Sequence, residues 1–595
     1  MCGIAGYIGK KEGLPIVFAN LRKLEYRGYD SAGVAFFDFQ GEKRHIKTFG
    51  KIDMLEKAIQ GQKSLPLTAV IGHTRWATHG VPSEANAHPH YDCKKEIFLV
   101  HNGIIENYQE LKEQLLKKGH HFRSQTDTEV AAHLIEEYGL EPALKKIVGA
   151  YAFAVINTKE PQKIYVARLG SPLVIGISRD GYYVASDPTA LAGLVKKVIY
   201  LKDGQHGYLS LNDYKIGPAR PKIEHLDIDV EKAQKGNFPH FMLKEIFEGP
   251  EVVEAALRGR LSSRRGMVKL GGLEDVAHKF ENIKKFEIYA CGTSYYAGLI
   301  AEMLLEEFTG IPSEITLASE YRYKKDAPQK NTACLFISQS GETADTLAAL
   351  RKANQRKLLT LGIVNGVGSN IARETVAGVY NHAGPEIGVA STKAFLSQLA
   401  VLSLVSLYAR QNKTKTAREF MKALAEIPNQ IRGILKNSAK IKAIAEKYLD
   451  HQNFLYIGRG YNYPTALEGA LKIKEIAYVH AEGYAAGEMK HGPIALIDEN
   501  FPVVAIVTKN SLYEKTISSL EEIKARKGKI IAIATIGDKR IAKIADDIIY
   551  VPKTAEQLEP MLNIVPLQLF AYHFGVLKGY DVDKPRNLAK SVTVE

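Results

Sequence analysis

Cys2 can supply a nucleophile and its base from one residue. Trimming of Met1 leaves its thiol beside a free α-amine. Cysteine attacks as the thiolate and needs a base nearby. An α-amine titrates near pH ~8, so it can take the thiol proton at neutral pH. Two clusters can complete a site for such a nucleophile. His73-Thr74-Arg75-Trp76-Ala77-Thr78-His79-Gly80 gathers cation, aromatic ring, hydroxyl and imidazole, and holds the chain's one tryptophan. His101-Asn102-Gly103 can offer an Asn amide and a Gly N–H to the oxyanion that acyl transfer creates. Arg75 can hold a carboxylate and Asp127 an ammonium. The set describes a pocket for a free amino acid whose side-chain amide Cys2 attacks. Singly, each cluster reads as a turn or strand end; together with Cys2 they do not.

A second chemistry lies further along. Ser338-Gln339-Ser340-Gly341-Glu342-Thr343 closes an apolar strand pattern and opens a helix. Hydroxyls and backbone N–H groups at such a turn bind phosphate. The plainer reading is a capping box, Ser340-x-x-Thr343, without the usual Glu at its last place. The corresponding Thr508-Lys509-Asn510-Ser511 lacks the pattern, so one phosphate site per chain is expected. Glu468, Lys472 and Glu475 fall on one helical face. Such spacing usually marks a solvated charged face, but this run follows a Gly-rich turn where α/β sheets bind ligands. His491, in Met489-Lys490-His491-Gly492-Pro493, reads alone as a surface histidine. Lys590 lies in a tail, Asn587–Glu595, apolar enough to dock. A covered lysine can lose its proton and attack a carbonyl; an ordinary surface lysine is the plainer alternative. Cys2, Cys93, Cys291 and Cys334 form neither a disulfide framework nor a CxxC pair, and no metal-ligand spacing is visible, so no metal or other cofactor is expected.

Elements must position these residues. The chain of 595 residues suggests three to five domains at ~100–200 residues each. Its 45% hydrophobic and 24% charged content is that of a soluble globular protein. The 79 Lys+Arg against 66 Asp+Glu give +13, but the basic residues alternate with acids, as in Lys51-Ile52-Asp53. No arginine-rich arm or finger motif accompanies them, which favours small anionic substrates over nucleic acid. The apolar stretch Ala394–Ala409 is short for a membrane span and carries Ser397, Gln398, Ser403 and Ser406, so it reads as a buried core helix and no membrane partner is expected. The absence of a signal pattern and the free thiols point to a reducing cytoplasm.

Residues 1–235 read as short strands, among them Ser31–Phe37, Ala69–His73, Ile97–His101, Tyr151–Ile156 and Lys163–Ala167, with helices over 107–118 and 128–138. That is a mixed α+β layer fold. A polar connector runs from Pro218 to Lys235. Beyond it βα units alternate, and the turn at Ile288–Ser294 repeats in shape at Leu455–Tyr461. The strands Cys334–Ser338, Leu359–Val364 and Gly378–His382 pair with Val503–Val507, Ile530–Ala534 and Ile548–Pro552, so residues 236–440 and 441–595 read as tandem α/β sandwich domains.

Met1-Cys2-Gly3-Ile4, Tyr26–Gly33, His73–Gly80 and His101-Asn102-Gly103 resemble the N-terminal-nucleophile glutamine amidotransferases. The Ser338–Thr343 loop, Val389–Lys393, Lys474–Pro493 and Leu588–Glu595 resemble the paired sugar-isomerase (SIS) domains of one branch, the glutamine–fructose-6-phosphate aminotransferases, also called glucosamine-6-phosphate synthases. The resemblance runs in order along essentially the whole chain. It implies an αββα glutaminase domain followed by two SIS domains in a cytoplasmic homodimer. It implies Cys2 as nucleophile, Asn102 and Gly103 as oxyanion hole, and Arg75, Thr78, His79 and Asp127 as glutamine ligands, with Arg27 in a covering loop. Ammonia then passes inside the protein, Trp76 resembling the channel gate. Ser338, Gln339, Ser340 and Thr343 hold the phosphate of fructose 6-phosphate, while Ser294, Val389, Ser391 and Glu468 contact the sugar. Lys590 forms a Schiff base, His491 of the partner subunit helps open the ring, Glu475 moves the proton between C1 and C2, and Lys472 assists. Two rival readings are a phosphoribosylamine-forming amidotransferase, which the two SIS-like domains disfavour, and a sugar-phosphate sensor, which would not need Cys2, Glu475 and Lys590 together.

Overall fold

The strand that follows Cys2, Gly3–Gly9, lies inside an eight-stranded sheet, between Gly181–Ala185 and Ala69–Arg75, both antiparallel to it. Successive side chains of a strand point to opposite faces. Ile4 and Ile8 accordingly enter the core between this sheet and a second, six-stranded one, while Ala5 and Tyr7 pack under the helices Gly13–Leu24 and Ile52–Ile59. The six-stranded sheet carries Ile97–Ile105 and Gly149–Asn157. Its outer face is covered by the helices Tyr108–Lys117 and Thr128–Tyr138. The layers therefore run helix, sheet, sheet, helix, the αββα order expected. A computed structural model describes residues 2–37, 42–61, 69–226, 235–263, 266–325, 329–410 and 414–593. The chain divides into two compact units, Met1–Gln234 with Ala589–Glu595, and Lys235–Leu588. The connector is not wholly irregular: Ile223–His225 pairs with Lys197–Tyr200 at the sheet edge, and its residues 227–234 lie outside the described ones.

The second unit holds two five-stranded parallel sheets of the same topology. In the first, Ser313–Leu317, Lys285–Ala290, Thr332–Ser338, Leu359–Val364 and Ala377–Tyr380 are neighbours in that order. In the second the order is His480–Ala485, Asn453–Gly458, Val503–Val507, Ile530–Thr535 and Asp547–Val551. Each first strand leads into its helix, Gly292–Thr309 or Asn462–Ala477, through a left-handed glycine, Gly292 (φ 55°) or Gly460 (φ 52°). The internal repeat is thus structural. One core joins both sheets through the helices Lys393–Tyr408, Asn462–Ala477 and Glu559–Leu577. The segment Glu556–Leu577 is long and apolar enough to cross a membrane, but 89% of its apolar window is buried inside the unit, as suits a core helix.

Candidate active sites

Pairing of Gly3 with Thr74 brings Cys2 to the end of the strand Ala69–Arg75. The Trp76 N–H donates to Cys2 Sγ at 3.2 Å, and the thiol lies 3.5 Å from the Trp76 carbonyl oxygen. Burial pushes the Cys2 thiol up, so it needs a base to ionise. Asn102 Nδ2 donates to the Cys2 carbonyl at 2.9 Å. His73 sets that orientation. Its Nε2 stands 2.9 Å from His101 O and 3.0 Å from Asn102 Oδ1. Both are acceptors, so Nε2 carries the proton, and the Asn102 amide nitrogen is left facing Cys2. Burial holds the His73 imidazole down, at about 3, and therefore neutral. His73 stacks on His88 with ring centroids 4.0 Å apart, and His88 Nδ1 accepts from the His101 N–H. Gly103 has φ 143°, and a Cβ there would stand 1.9 Å from the Ala150 carbonyl oxygen, so the position requires glycine.

Arg75 and Asp127 are both buried. One terminal nitrogen of Arg75 donates to the carbonyls of His79 and Gly80. The other, Nη1, is buried with no hydrogen-bond partner among the described residues. Burial pulls the Arg75 guanidinium down, opposed by the charges of Cys2, Asp30 and Asp127 around it. Asp127 Oδ2 accepts from the Ile105 N–H at 2.8 Å, and Oδ1 lies 3.9 Å from His79 Nδ1. Thr78 is exposed, and the half-buried Trp76 meets Tyr29 edge-on. Arg27, expected in a covering loop, lies in a buried 3-10 turn, Glu25–Arg27, where it bonds the Asp187 carboxylate and the Tyr26 hydroxyl.

In the second unit the charged helix face is not solvated. Glu468 and Lys472 are fully buried. Lys472 Nζ lies 3.3 Å from Glu468 Oε1, donates to Glu475 Oε2, and reaches Thr293 Oγ1 at 3.2 Å. Thr293, on the first-repeat helix, donates to Glu468 at 3.1 Å. A first-repeat hydroxyl thus ties into the charged triad of the second-repeat helix. Burial pushes the Glu468 carboxyl up to about 7. Burial also pulls Lys472 down, but the two carboxylates outweigh it and hold the ammonium above its ordinary range. Ser294, one residue on, accepts from Gln398 Nε2 at 2.9 Å.

The Ser338–Thr343 turn leaves a strand paired beside Lys285–Ala290, so it neighbours the Cys291–Ser294 turn at the carboxyl edge of one sheet. This is where open α/β sheets take ligands. Ser338 Oγ lies 3.0 Å from Thr343 Oγ1 and accepts from the Gly341 N–H; Ser340 Oγ accepts from the Glu342 N–H. The capping-box reading does not hold: the helix starts at Ala344 and Thr343 is its N-cap, with no side-chain cap bond. In the second repeat Thr508, Asn510 and Asn462 all donate to the Glu559 carboxylate. A fixed carboxylate thus occupies the donors of the second-repeat turn. Ser391 donates to Glu386, and the Val389 N–H to Asp583 O. His491 is exposed. Lys590 is half-buried, and its segment Ala589–Glu595 groups with the first unit, not with the one that carries Glu475.

The glutamine amidotransferase domain family matches residues 61–219, and the SIS domain family matches 279–408 and 447–578. A glutamine–fructose-6-phosphate aminotransferase (isomerizing) of Chlorobaculum tepidum is 48% identical, with all of both chains covered. The chain belongs to the glutamine–fructose-6-phosphate aminotransferase family. Members from Thermus thermophilus and from Methanosarcina acetivorans are 46% and 45% identical, again over the full length of both chains. The solved C-terminal domain of the Francisella tularensis family member is 38% identical, covers 59% of this chain and 100% of its own, and superposes with a TM-score of 0.56. Sequence reasoning missed His73 and His88 behind Asn102, and Glu559 behind the second-repeat loop. His73 lies inside a motif named above, but only the packing of the two sheets on each other reveals its target.

Proposed function

We propose that this chain transfers the amide nitrogen of L-glutamine to D-fructose 6-phosphate, with isomerisation, giving L-glutamate and D-glucosamine 6-phosphate. One observation carries the reading: the same chain holds a Cys2 thiol beside an oriented Asn102 amide, and a Glu468–Lys472–Glu475 triad, its first two members buried, tied through Thr293 to the sheet edge that carries the hydroxyl-rich Ser338–Thr343 turn. Cys2, with its α-amine freed, attacks the glutamine amide carbon. Asn102 Nδ2 keeps one N–H beyond its bond to Cys2 O, and with the Gly103 N–H it receives the oxyanion. Ammonia leaves, and water hydrolyses the thioester. Arg75 Nη1 takes the glutamine carboxylate and Asp127 its ammonium. Arg27, tied to Asp187, anchors the turn beside the site.

At the sugar site Ser338, Gln339, Ser340 and Thr343 take the phosphate, and Ser294, Val389, Ser391 and Glu468 surround the sugar. Lys590 forms the Schiff base, His491 of the partner subunit helps open the ring, and Glu475 carries the proton from C1 to C2. Lys472, kept cationic by two carboxylates, stabilises negative charge on the enolic intermediate. The freed ammonia is passed on inside the protein, past Trp76. We infer a homodimer working in the cytoplasm, in keeping with four cysteines that form no disulfide. Cys2→Ala should abolish glutamine hydrolysis while amination with added ammonia, or binding of fructose 6-phosphate, persists. Glutamate release by pure Cys2→Ala protein would overturn the assignment.

A further inference from the structure

Cys93, His120, His133 and Glu136 form a cluster that this reaction does not use. Cys93 lies in the turn between His90–Tyr91 and Ile97–Ile105, His120 follows the helix Tyr108–Lys117, and His133 and Glu136 share a face of Thr128–Tyr138. One donor atom from each lies within 4.8 Å of all the others. Cys93 Sγ stands 3.6 Å from His120 Nδ1 and 3.6 Å from His133 Nδ1. Glu136 Oε2 stands 3.1 Å from His120 Nδ1 and 3.3 Å from His133 Nδ1. A zinc ion holds sulfur at about 2.3 Å and nitrogen or oxygen at about 2.0–2.1 Å, so a tetrahedron has S···N edges of about 3.6 Å and N···O edges of about 3.3 Å. The two S···N distances and the two N···O distances fit that figure.

The outer ring nitrogens support the same reading. His120 Nε2 lies 3.4 Å from Glu137 Oε2, and His133 Nε2 lies 3.7 Å from Glu129 Oε1. Glu136 Oε2 faces both Nδ1 atoms, so without a metal an Nδ1 proton bridges to it; with a metal in that place the protons sit on the outer Nε2 atoms, on the side of Glu137 and Glu129, and each Nδ1 lone pair turns inward. Carboxylates behind histidines are the usual outer support of zinc ligands. Two lone pairs, a carboxylate oxygen and a sulfur then converge where His133 is fully buried and His120 nearly so. A proton can bridge one pair at a time; one dication satisfies all four.

We propose that Cys93 Sγ, His120 Nδ1, His133 Nδ1 and Glu136 Oε2 bind one structural zinc(II) ion. The Cys93 thiol releases its proton to solvent as the sulfur–metal bond forms, and thiolate plus carboxylate balance the charge of the ion. Four protein ligands complete the tetrahedron and leave no open position, which makes the site structural and not catalytic. The ion ties the Cys93 turn to the helix Thr128–Tyr138, whose N-cap is Asp127, and the strand next to that turn carries Asn102. It braces the glutamine site from behind.

The untagged full-length chain, loaded with zinc sulfate and dialysed, should retain about one zinc per chain by plasma mass spectrometry. Cobalt(II) in its place should show intense tetrahedral visible bands and a near-ultraviolet thiolate charge-transfer band. Cys93→Ser, with its fold checked by circular dichroism, should lose that band, and Glu136→Gln should weaken cobalt binding at least ~10-fold. Chelation should lower the melting temperature. Retention below about 0.1 zinc per chain overturns the site. So does a charge-transfer band that survives Cys93→Ser, and an unchanged melting temperature after the metal is stripped.

Discussion

At the scale of single residues, the reactive groups are set by neighbours that never touch a substrate. His73 decides which end of the Asn102 amide faces Cys2, and it does so as a neutral ring. Removal of one oxyanion donor typically costs ~10²–10³ in kcat. Asn102→Ala should therefore lower glutaminase kcat by about that factor, with alkylation of Cys2 by a small electrophile unchanged; kcat within about threefold of the parent would remove Asn102 from the oxyanion role. Glu468 makes a pH prediction. Its folded pKa of about 7 lies above an unfolded value near ~4.3. The folded chain holds this proton more tightly. The contribution to stability is fully present below pH ~4.3 and is lost as pH rises through the folded value. The melting-temperature difference between the parent and Glu468→Gln should therefore change between about pH 5 and about pH 8. A difference constant across that range would show that Glu468 does not titrate there.

At the scale of elements, the Ser338–Thr343 turn, proposed to take the phosphate, depends on one backbone conformation. Gly341 has φ 69°, and a Cβ there would stand 2.0 Å from Ser369 Oγ. A left-handed L-residue costs ~1–2 kcal/mol, and the clash with Ser369 adds to that by displacing the turn. Gly341→Ala should weaken fructose 6-phosphate binding at least ~10-fold by calorimetry, while hydrolysis of glutamine alone keeps the parent rate. Undiminished sugar-phosphate affinity would move the phosphate elsewhere. In the second repeat the matching donors are taken by the Glu559 carboxylate.

At the scale of the whole molecule, the chemistry is divided between two units, yet the last residues of the chain group with the first. That makes the choice of lysine testable. Lys472 is buried and held as an ammonium by Glu468 and Glu475, so it is a poor nucleophile. Lys590 lies in a half-buried tail. Borohydride added with fructose 6-phosphate should trap a reduced adduct on Lys590, located by peptide mass spectrometry. An adduct on Lys472 or Lys474 would reverse the assignment.

Local pattern alone determined much of this protein. The short β segment between turns marked the strand Ser31–Phe37, and the cap chemistry of Thr126–Glu129 marked the start of the helix Thr128–Tyr138, as the structure has them. The repeat of βα units, and the glycine turns that open them, were equally legible, because propensity and periodicity act between residues close in the chain. Tertiary structure decided the rest. The strand expected to stop at His73 runs on to Arg75 because its partners continue to pair with it. Glu468, Lys472 and Glu475 have the spacing of a solvated face, but Thr293 and the shared core bury the first two completely. Arg27 turned inward because Asp187, far along the chain, supplies its counter-charge. Cys93, His120, His133 and Glu136 follow no ligand motif, since sheet pairing and helix packing bring their donor atoms together. Charge compensation and ligand geometry are set by distances in space, and sequence spacing reports them only when the partners share one element.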